Sequence, residues 1–161
     1  MTTVWRICLR EHAKRAFRGE GARFYGGRWS PPGFAVVYSA ESLALACLEI
    51  LVHTDAEELP KELVAVSAEI PGLVKPLRLE SSSLPANWRQ YPAPESLQAI
   101  GREWLQKREY AVLCVPSAVI PAEHNYLINP SHPDFRDVVV RQPEPFSLDP
   151  RLWKVRRSAT S

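Results

Sequence analysis

The sequence has little of what marks a secreted, metal-binding or membrane-spanning protein. Its three cysteines, Cys8, Cys47 and Cys114, are odd in number and have no CxxC or Cys/His spacing, which argues against a disulfide framework and a metal site. No apolar run approaches the ~18 residues that a transmembrane helix needs, and the amino terminus lacks the continuous apolar stretch of a signal peptide. We therefore expect a soluble, cytoplasmic protein with reduced thiols, no bound metal and no membrane contact.

The motifs of several common nucleotide-binding and hydrolase folds are also missing. The sequence contains neither GxGxxG after a strand nor GxxxxGK followed by serine or threonine, and no serine lies in a GxSxG elbow. It shows no internal repeat, no coiled-coil heptad and no helix-turn-helix or RNP pattern. A dinucleotide, if one binds, is therefore not held in Rossmann fashion, and a serine nucleophile is poorly supported.

What is present is the composition of one globular domain, 45% hydrophobic and 24% charged. The net charge is only +2, but seven of the twenty Lys and Arg residues fall within the first 28 residues, and a second basic cluster closes the chain. We expect one domain over residues 1–150 and a basic tail over residues 151–161. Such clusters attract phosphates, so nucleotides, nucleic acids and acidic proteins are all candidate partners.

Apolar patterning predicts strands and helices in an irregular order. Period-two or β-branched runs predict strands at 4–10, 34–38, 63–70, 110–115 and 136–141. Helical signals predict helices at 40–53, with Ser39 as the N-cap, and at 95–108, while glycine and proline predict loops at 19–33 and 76–94. Because these elements do not form regular βαβ units, we expect an α+β fold in a single compact mixed domain.

Glu49 is the anomalous residue of the helix predicted at 40–53. From Leu43 to Val52 it is the only ionisable side chain apart from Cys47, and a helix that is apolar all round is predicted to be buried. A buried carboxylate needs a partner or a function. Ser42 and His53 project within ~40° of Glu49 at 100° per residue, so the three predict a polar stripe facing a polar cavity. The alternatives are a structural ion pair or a helix edge for Glu49, and a surface or capping position for His53.

The segment GEGARFYGGRWSPPG combines turn-forming residues with arginines and aromatics. Arg28 could grip a phosphate through two parallel hydrogen bonds while a neighbouring ring, such as Tyr25 or Trp29, stacks on a base. The alternative is a solvated turn in which an arginine packs on tryptophan.

A third polar group of residues follows the strand predicted at 110–115. Ser117 comes directly after Pro116 at the strand end, where hydroxyls commonly meet ligands. Asn125, Asn129 and the nearby histidines have no acid or cysteine at ligand spacing, which favours turn-forming asparagines over a metal site.

Taken together, GGRWSPPG, VVYSAESLALACLEILVH and VPSAVIPAEHNYLINPSHPDF resemble the RES domain, a family named for an arginine, a glutamate and a serine. The resemblance runs from Val4 to about Val140, and it departs from the motif in having SPPG where an asparagine commonly follows the tryptophan. Carried over by position, it implies three catalytic and three ligand-binding residues. The catalytic residues are Arg28, Glu49 and Ser117, and the ligand-binding residues are Arg6, Tyr38 and Asn125.

The resemblance also implies a fold similar to the catalytic domains of ADP-ribosyltransferase toxins. It implies the toxin of a type II toxin–antitoxin system, which degrades NAD by cleaving the nicotinamide–ribose bond through hydrolysis or phosphorolysis. NAD is then a substrate, inorganic phosphate is a candidate co-substrate, and no further cofactor is expected. The implied partner is an Xre-like antitoxin, with DNA contacted only through it and a homodimer as an option within the complex. Two alternatives stay open: transfer of ADP-ribose to a protein, and a nucleic-acid-binding regulator.

The implied residues suit that reaction. Glu49 would stabilise the positive charge that develops on the ribose, as carboxylates do in glycosidases. Arg6 and Arg28 would neutralise the pyrophosphate, Tyr38 would stack on nicotinamide or ribose, and Ser117 would position the substrate.

Overall fold

One mixed sheet organises the chain in the computed structural model, which describes residues 1–55 and 62–152. Three α-helices accompany it, together with three short 3-10 helices at Arg10–Arg15, Ser81–Ser83 and Pro133–Asp137. The α-helices are α1 (Glu20–Tyr25), α2 (Leu43–His53) and α3 (Glu95–Lys107). The strands are β1 (Thr2–Leu9), β2 (Val37–Ala40), β3 (Leu63–Ile70), β4 (Leu77–Arg78), β5 (Val112–Pro116), β6 (His124–Ile128), β7 (Val139–Val140) and β8 (Glu144–Phe146).

The sheet consists of two well-paired halves that meet at one point. Its strand order is β4-β5-β6-β2-β1-β3-β7, with β8 also paired to β3, and β4 with β5 is the parallel pair in this order. Strand β1 pairs with β3 along its full length, and β2 pairs with β6 over four residues. Between the halves, the register of β1 with β2 consists of Trp5 opposite Ala40. The two halves are therefore free to diverge beside this pair.

Both faces of the sheet are covered by apolar side chains. Along β5, Val112 and Cys114 point into one cluster, whereas Leu113 and Val115 point into another that lies under α3. A third cluster, with Ile7 and Leu45, lies between α2 and the strands β1 and β3. Because β5 is buried on both faces, its sequence is a continuous apolar run.

The predicted class, a single mixed domain of strands and helices, is confirmed, and so are the strand at 63–70 and the helix at 95–108. The predicted N-cap of α2 is wrong. Ser42 is the cap, since its Oγ accepts a hydrogen bond from the Leu45 amide at 3.1 Å. Ser39 instead lies in β2, because pairing with β6 extends that strand to Ala40.

Other boundaries differ from the predictions because pairing partners and packing, which are long-range, decide them. Helix α1 lies inside the segment predicted as a loop, and the strand predicted at 34–38 lies at Val37–Ala40. Strands β4, β6 and β8 were not predicted, and the strand predicted at 136–141 is reduced to β7 after a 3-10 turn.

The predicted burial of α2 is also wrong. Only Leu45 and Ala46 of this helix are buried, because the helix packs on the sheet through one side. Val52 is half exposed.

Two further sequence expectations concern termini and membranes. Within the described residues, no helix combines the length and the apolar character that crossing a bilayer requires. Of the predicted basic tail, all but the first two residues lie outside the part of the chain that the structure describes.

Candidate active site

A cavity of about 330 Å³ lies beside the point where the two halves of the sheet meet. Strands β1 and β2 contribute Arg6 and Tyr38 to its wall, and α2 contributes Glu49 and His53. The divergence of β1 from β2 makes room for the cavity, and α2 closes one side. Four of the polar residues singled out from the sequence therefore share one cavity.

Glu49 is held by a buried serine. The Ser117 hydroxyl donates to Oε1 of Glu49 at 3.2 Å, and Ser117 is fully buried. Its oxygen accepts hydrogen bonds from the amides of Val119 at 3.1 Å and Ile120 at 3.2 Å. Because these two amides occupy the oxygen's lone pairs, the hydroxyl proton is directed at Glu49. Within residues 1–55 and 62–152 Glu49 forms no salt bridge, so the structure gives it a neutral partner.

Arg28 is presented by a tight turn. The Gly27 amide donates to the Ser30 carbonyl at 2.8 Å, and the Tyr38 hydroxyl accepts from the Trp29 amide at 3.1 Å and shares a hydrogen bond with Ser30 Oγ at 2.8 Å. A Cβ at Gly27 would lie 2.5 Å from the Tyr38 hydroxyl, so glycine is required there. The geometry of the turn thus depends on a side chain from β2.

The guanidinium of Arg28 is anchored to a distant loop. Its Nη1 donates to the carbonyls of Trp88 at 3.0 Å and Gln90 at 2.9 Å. Nη1 is therefore occupied by two hydrogen bonds within the protein, and Nη2 and Nε are the nitrogens that would contact a phosphate.

Helix α3 holds the same turn with two residues that sequence reasoning missed. Gln98 Nε2 donates to the carbonyls of Gly27 at 3.0 Å and Ser30 at 3.3 Å. A Cβ at Gly101 would lie 1.5 Å from the Trp29 carbonyl oxygen, so helix and turn approach as closely as backbones can. The sequence signal for this contact was a glycine inside the apolar stripe of a predicted helix.

The cavity is lined by one arginine, Arg6, and one carboxylate, Glu49. Arg6 Nη1 donates to the Tyr38 carbonyl at 2.9 Å, and its Nε is buried without a hydrogen-bond partner among the described residues. Burial lowers the pKa of Arg6, and it also lowers the pKa of Arg28, where the nearby Glu49 opposes the effect. In the described part of the chain neither arginine forms a salt bridge. Arg6 and Glu49 therefore share the cavity wall, and Arg28 lies close enough to Glu49 for the carboxylate to raise its pKa.

Tyr38 is bound into the protein more tightly than a freely stacking ring would be. Its hydroxyl belongs to the Arg28 turn, and burial raises its pKa, so the neutral phenol is favoured. Tyr38 also lines the cavity. Its contact with a ligand stays a prediction.

Ser42 does not belong to the predicted polar stripe. It caps α2 and donates to Glu123 Oε2 at 2.8 Å, whereas Glu49 and His53 both reach the cavity.

Asn125 is not among the residues that line the cavity, but it contacts one of them, Ser39. It is part of β6, and its Nδ2 donates to the Ser39 carbonyl at 3.3 Å. Asn129 does form a turn, accepting from the Ser131 amide at 3.0 Å, and buried His132 contacts the Arg108 carbonyl at 3.0 Å. Among the residues that the structure covers, no group of three or more His, Cys, Asp or Glu could hold a metal ion.

The aromatic rings that flank Arg28 in sequence do not surround a ligand site. Trp29 is buried in the cluster under α3, while Phe24 and Tyr25 are exposed and contact each other at 6.4 Å between ring centroids. Two tyrosines from other parts of the chain, Tyr38 and Tyr91, act on the pKa of Arg28 and raise it.

Comparisons with known proteins match this chain to a protein family and to relatives that are named toxins. The family model of the RES domain matches residues 3–149. A protein of Sphingobium sp. named Prs ADP-ribosylating toxin is 38% identical over 155 residues, covering 94% of this chain and 96% of its own. A protein of Yersinia enterocolitica named Toxin Res is 40% identical over 152 residues, covering 92% and 98%.

A solved structure has the same fold. The crystal structure of the M. tuberculosis MbcT–MbcA toxin–antitoxin complex contains a chain that matches with a TM-score of 0.74 at 20% identity, covering 98% of this chain and 89% of that one.

Proposed function

The chain belongs to the RES domain family, and from this membership and the geometry of the cleft we propose that it is a toxin of a toxin–antitoxin system that cleaves the nicotinamide–ribose bond of NAD. The observation that carries the proposal is the arrangement of Glu49, fixed by buried Ser117, beside Arg6 in the cavity wall and near Arg28, two arginines that form no salt bridge within the described residues. The carboxylate suits a ribose that becomes positively charged during the reaction, and the arginines suit a pyrophosphate.

The arginines account for binding. Each phosphate of a dinucleotide carries a negative charge, and guanidinium groups form strong charge-assisted hydrogen bonds with phosphate oxygens. Two sets of donors suit this task. One is the Nε of Arg6, which has no hydrogen-bond partner among the described residues, and the other is the nitrogens of Arg28 that do not bind a carbonyl.

Glu49 accounts for bond cleavage. When the bond between ribose C1 and the nicotinamide nitrogen breaks, its electron pair leaves with nicotinamide, and positive charge spreads over C1 and the ring oxygen. A carboxylate held in a fixed position stabilises that charge with little reorganisation. Water or phosphate then bonds to C1, and water loses its extra proton to solvent.

Ser117 acts through Glu49 in this proposal. Its full burial and its two amide hydrogen bonds make it a poor nucleophile and a poor substrate contact. It therefore positions the carboxylate, and not the substrate as the family resemblance first implied.

ADP-ribosylation of a protein is the second candidate activity. It breaks the same bond, and the name of the Sphingobium relative favours it. The two activities differ in the acceptor that reaches ribose C1, which is a small molecule in one and a side chain in the other.

An antitoxin partner is also part of the proposal, since a cytoplasmic enzyme that consumed NAD would harm its own cell. The complex in which the M. tuberculosis neighbour was solved supports such a partner. We propose an Xre-like protein that inhibits by placing a carboxylate at the arginines, where the pyrophosphate binds. Inhibition should then compete with NAD, and co-expression of the partner should restore growth.

Incubation of the purified chain with NAD, with and without inorganic phosphate, tests the activity. We expect release of nicotinamide, with ADP-ribose formed in water or its 1″-phosphate formed in phosphate. Release of nicotinamide that requires an added protein, and that leaves this protein carrying ADP-ribose, would favour transfer. Intact NAD without any modified protein would contradict both activities.

A further inference from the structure

His53 lies in the wall of the cavity, one helical turn beyond Glu49. Both residues belong to α2, and both line the cavity. Side chains four positions apart in a helix project within ~40° of each other and have Cβ atoms roughly 5–6 Å apart. The imidazole of His53 and the carboxylate of Glu49 therefore face the same space from one helix.

The ring nitrogens of His53 are free to meet a ligand or a water molecule. The other three histidines, His12, His124 and His132, each form a hydrogen bond, whereas His53 forms neither a hydrogen bond nor an ion pair with any residue that the structure describes. Its ring contacts that of Tyr91, with the centroids 6.5 Å apart and the planes tilted by 55°. His53 is also exposed, so a proton that it accepts can pass on to solvent.

The other ionisable groups of the cavity wall are poor proton acceptors. Arg6 carries a guanidinium, which stays protonated in proteins. Burial raises the pKa of the Cys8 thiol and of the Tyr38 phenol, so both groups keep their protons. Glu49 must stay negatively charged to stabilise the ribose in the proposed reaction. Among the described residues of the cavity wall, His53 is left as the group that can take a proton.

One of the two small-molecule acceptors needs such a group. When water bonds to ribose C1, the C1–nicotinamide bond breaks, its electron pair leaves with nicotinamide, and the water oxygen has a proton to lose. A phosphate dianion attacks with an oxygen that carries no proton. A base in the cavity therefore accelerates hydrolysis and does little for phosphorolysis.

We propose that His53 is the general base of the hydrolytic reaction and accepts the proton of the water molecule that bonds to ribose C1. The proposal rests on the function proposed above for the choice of substrate. One ring nitrogen takes the proton and then releases it to solvent. Glu49 stays ionised throughout, so the two residues of α2 have separate tasks.

The ratio of the two products tests this role. The protein is incubated with NAD at a phosphate concentration at which the wild type forms both ADP-ribose and its 1″-phosphate, and the products are separated by chromatography. We expect His53→Gln to lower the ratio of ADP-ribose to the 1″-phosphate about 100-fold, the lower end of the usual contribution of general base catalysis. Glutamine keeps a polar side chain at the helix end but is not a base.

Two further variants separate this role from others. Glu49→Gln should lower both products together and leave their ratio unchanged, because stabilisation of the cationic ribose serves either acceptor. His12→Gln replaces an exposed histidine that does not line the cavity, so neither product should change. An unchanged ratio in His53→Gln would overturn the proposal. An equal loss of both products, which a distorted helix would cause, would overturn it as well.

Rescue by imidazole adds a second readout. His53→Ala leaves space in the cavity wall, and free imidazole can enter that space and accept the proton. We expect imidazole to raise the ratio of ADP-ribose to the 1″-phosphate in His53→Ala and to leave the wild-type ratio unchanged. A ratio in His53→Ala that does not respond to imidazole would contradict the base role.

The two proposals fail separately. NAD cleavage by the wild type with a product ratio that does not depend on His53 would overturn the base role alone. A wild type that forms the 1″-phosphate and no ADP-ribose would also overturn the base role, while NAD cleavage would be supported. A wild type that releases no nicotinamide would overturn the proposed activity, and the base role with it.

Discussion

The Arg28 turn and helix α2 face each other across the cleft, but they are supported in opposite ways. The turn is fixed by the Tyr38 hydroxyl on one side and by Gln98 on the other. Helix α2 has two buried residues, and its Glu49 is fixed by one hydrogen bond from Ser117. The Arg28 turn is therefore held by several hydrogen bonds, whereas Glu49 of α2 is held by one.

Because the two regions are supported differently, substitutions in them should affect stability and activity differently. A residue that is packed and hydrogen-bonded on all sides contributes to folding, so changes around the Arg28 turn should lower both stability and activity. A residue that projects from a loosely covered helix into a cavity contributes little to folding. Changes at Glu49 should therefore lower activity alone.

The largest effect is expected for Glu49→Gln, which keeps shape and removes the charge. Turnover of NAD should fall by about 100- to 1,000-fold, the loss typical when one preorganised electrostatic contact to a transition state is removed. The melting temperature should stay near that of the wild type, because Glu49 forms no salt bridge with any residue that the structure describes.

Activity and thermal unfolding are to be measured on one preparation of Glu49→Gln. A lowered melting temperature with full turnover in the folded fraction would mean that Glu49 serves structure, and the contrast between the two walls would disappear.

Glu49 and Arg28 also show what the sequence can predict about the site. A lone carboxylate in an apolar helix is anomalous at the level of sequence, because burial of a charge without a partner is unfavourable. The hydrogen bond from Ser117 is not predictable in this way, since it joins residues 68 positions apart, one on α2 and the other after the end of β5. The same holds for Gln98, whose amide looks like any polar position of a surface helix until α3 meets the turn.

The next largest effect is expected for Gly101→Ala, which tests the packed wall. The added Cβ would lie 1.5 Å from the Trp29 carbonyl oxygen, so helix and turn must separate. We expect a loss of about 3 kcal/mol in the free energy of unfolding, the upper part of the usual range for overpacking. Denaturant unfolding followed by tryptophan fluorescence measures it.

Gly21→Ala in α1 is the matched control. A Cβ there meets nothing within 4 Å, so the substitution should be neutral or stabilise by up to about 1 kcal/mol through helix propensity. Similar stabilities for Gly101→Ala and the wild type would show that the close approach is not needed.

Strands β3 and β6 show how far the fold could be predicted from the sequence. Strand β3 was predictable because its sequence begins with the apolar run LVAV and then alternates polar and apolar residues. This pattern suits a strand that has β1 on one side and β7 and β8 on the other. Strand β6 was not, because His124 and Asn125 at its start have poor strand propensity and only pairing with β2 and β5 makes them extended.

An intermediate effect is expected for Gln98→Ala, which removes the hydrogen bonds to the Gly27 and Ser30 carbonyls. The free energy of unfolding should fall by about 1–2 kcal/mol, since partly buried acceptors lose their donor. NAD cleavage should fall as well, because the turn presents Arg28. Gln106→Ala, at an exposed position of the same helix, is the control and should change neither quantity. Full activity in Gln98→Ala would show that the turn holds Arg28 without help from α3.

The smallest effect is expected on the outer side of α2, at Val52. This side chain is 50% exposed, so Val52→Ser removes little packed apolar surface, and the free energy of unfolding should change by no more than about 0.5 kcal/mol. Leu45→Ala, on the inner side of the same helix, is the contrasting variant, because Leu45 is 1% exposed and loss of a buried leucine costs about 2–5 kcal/mol. Thermal unfolding at several protein concentrations measures both. A large, concentration-dependent loss in Val52→Ser would mean that another chain covers this side of α2, so that association, and not the monomer's own packing, supports the wall that carries Glu49.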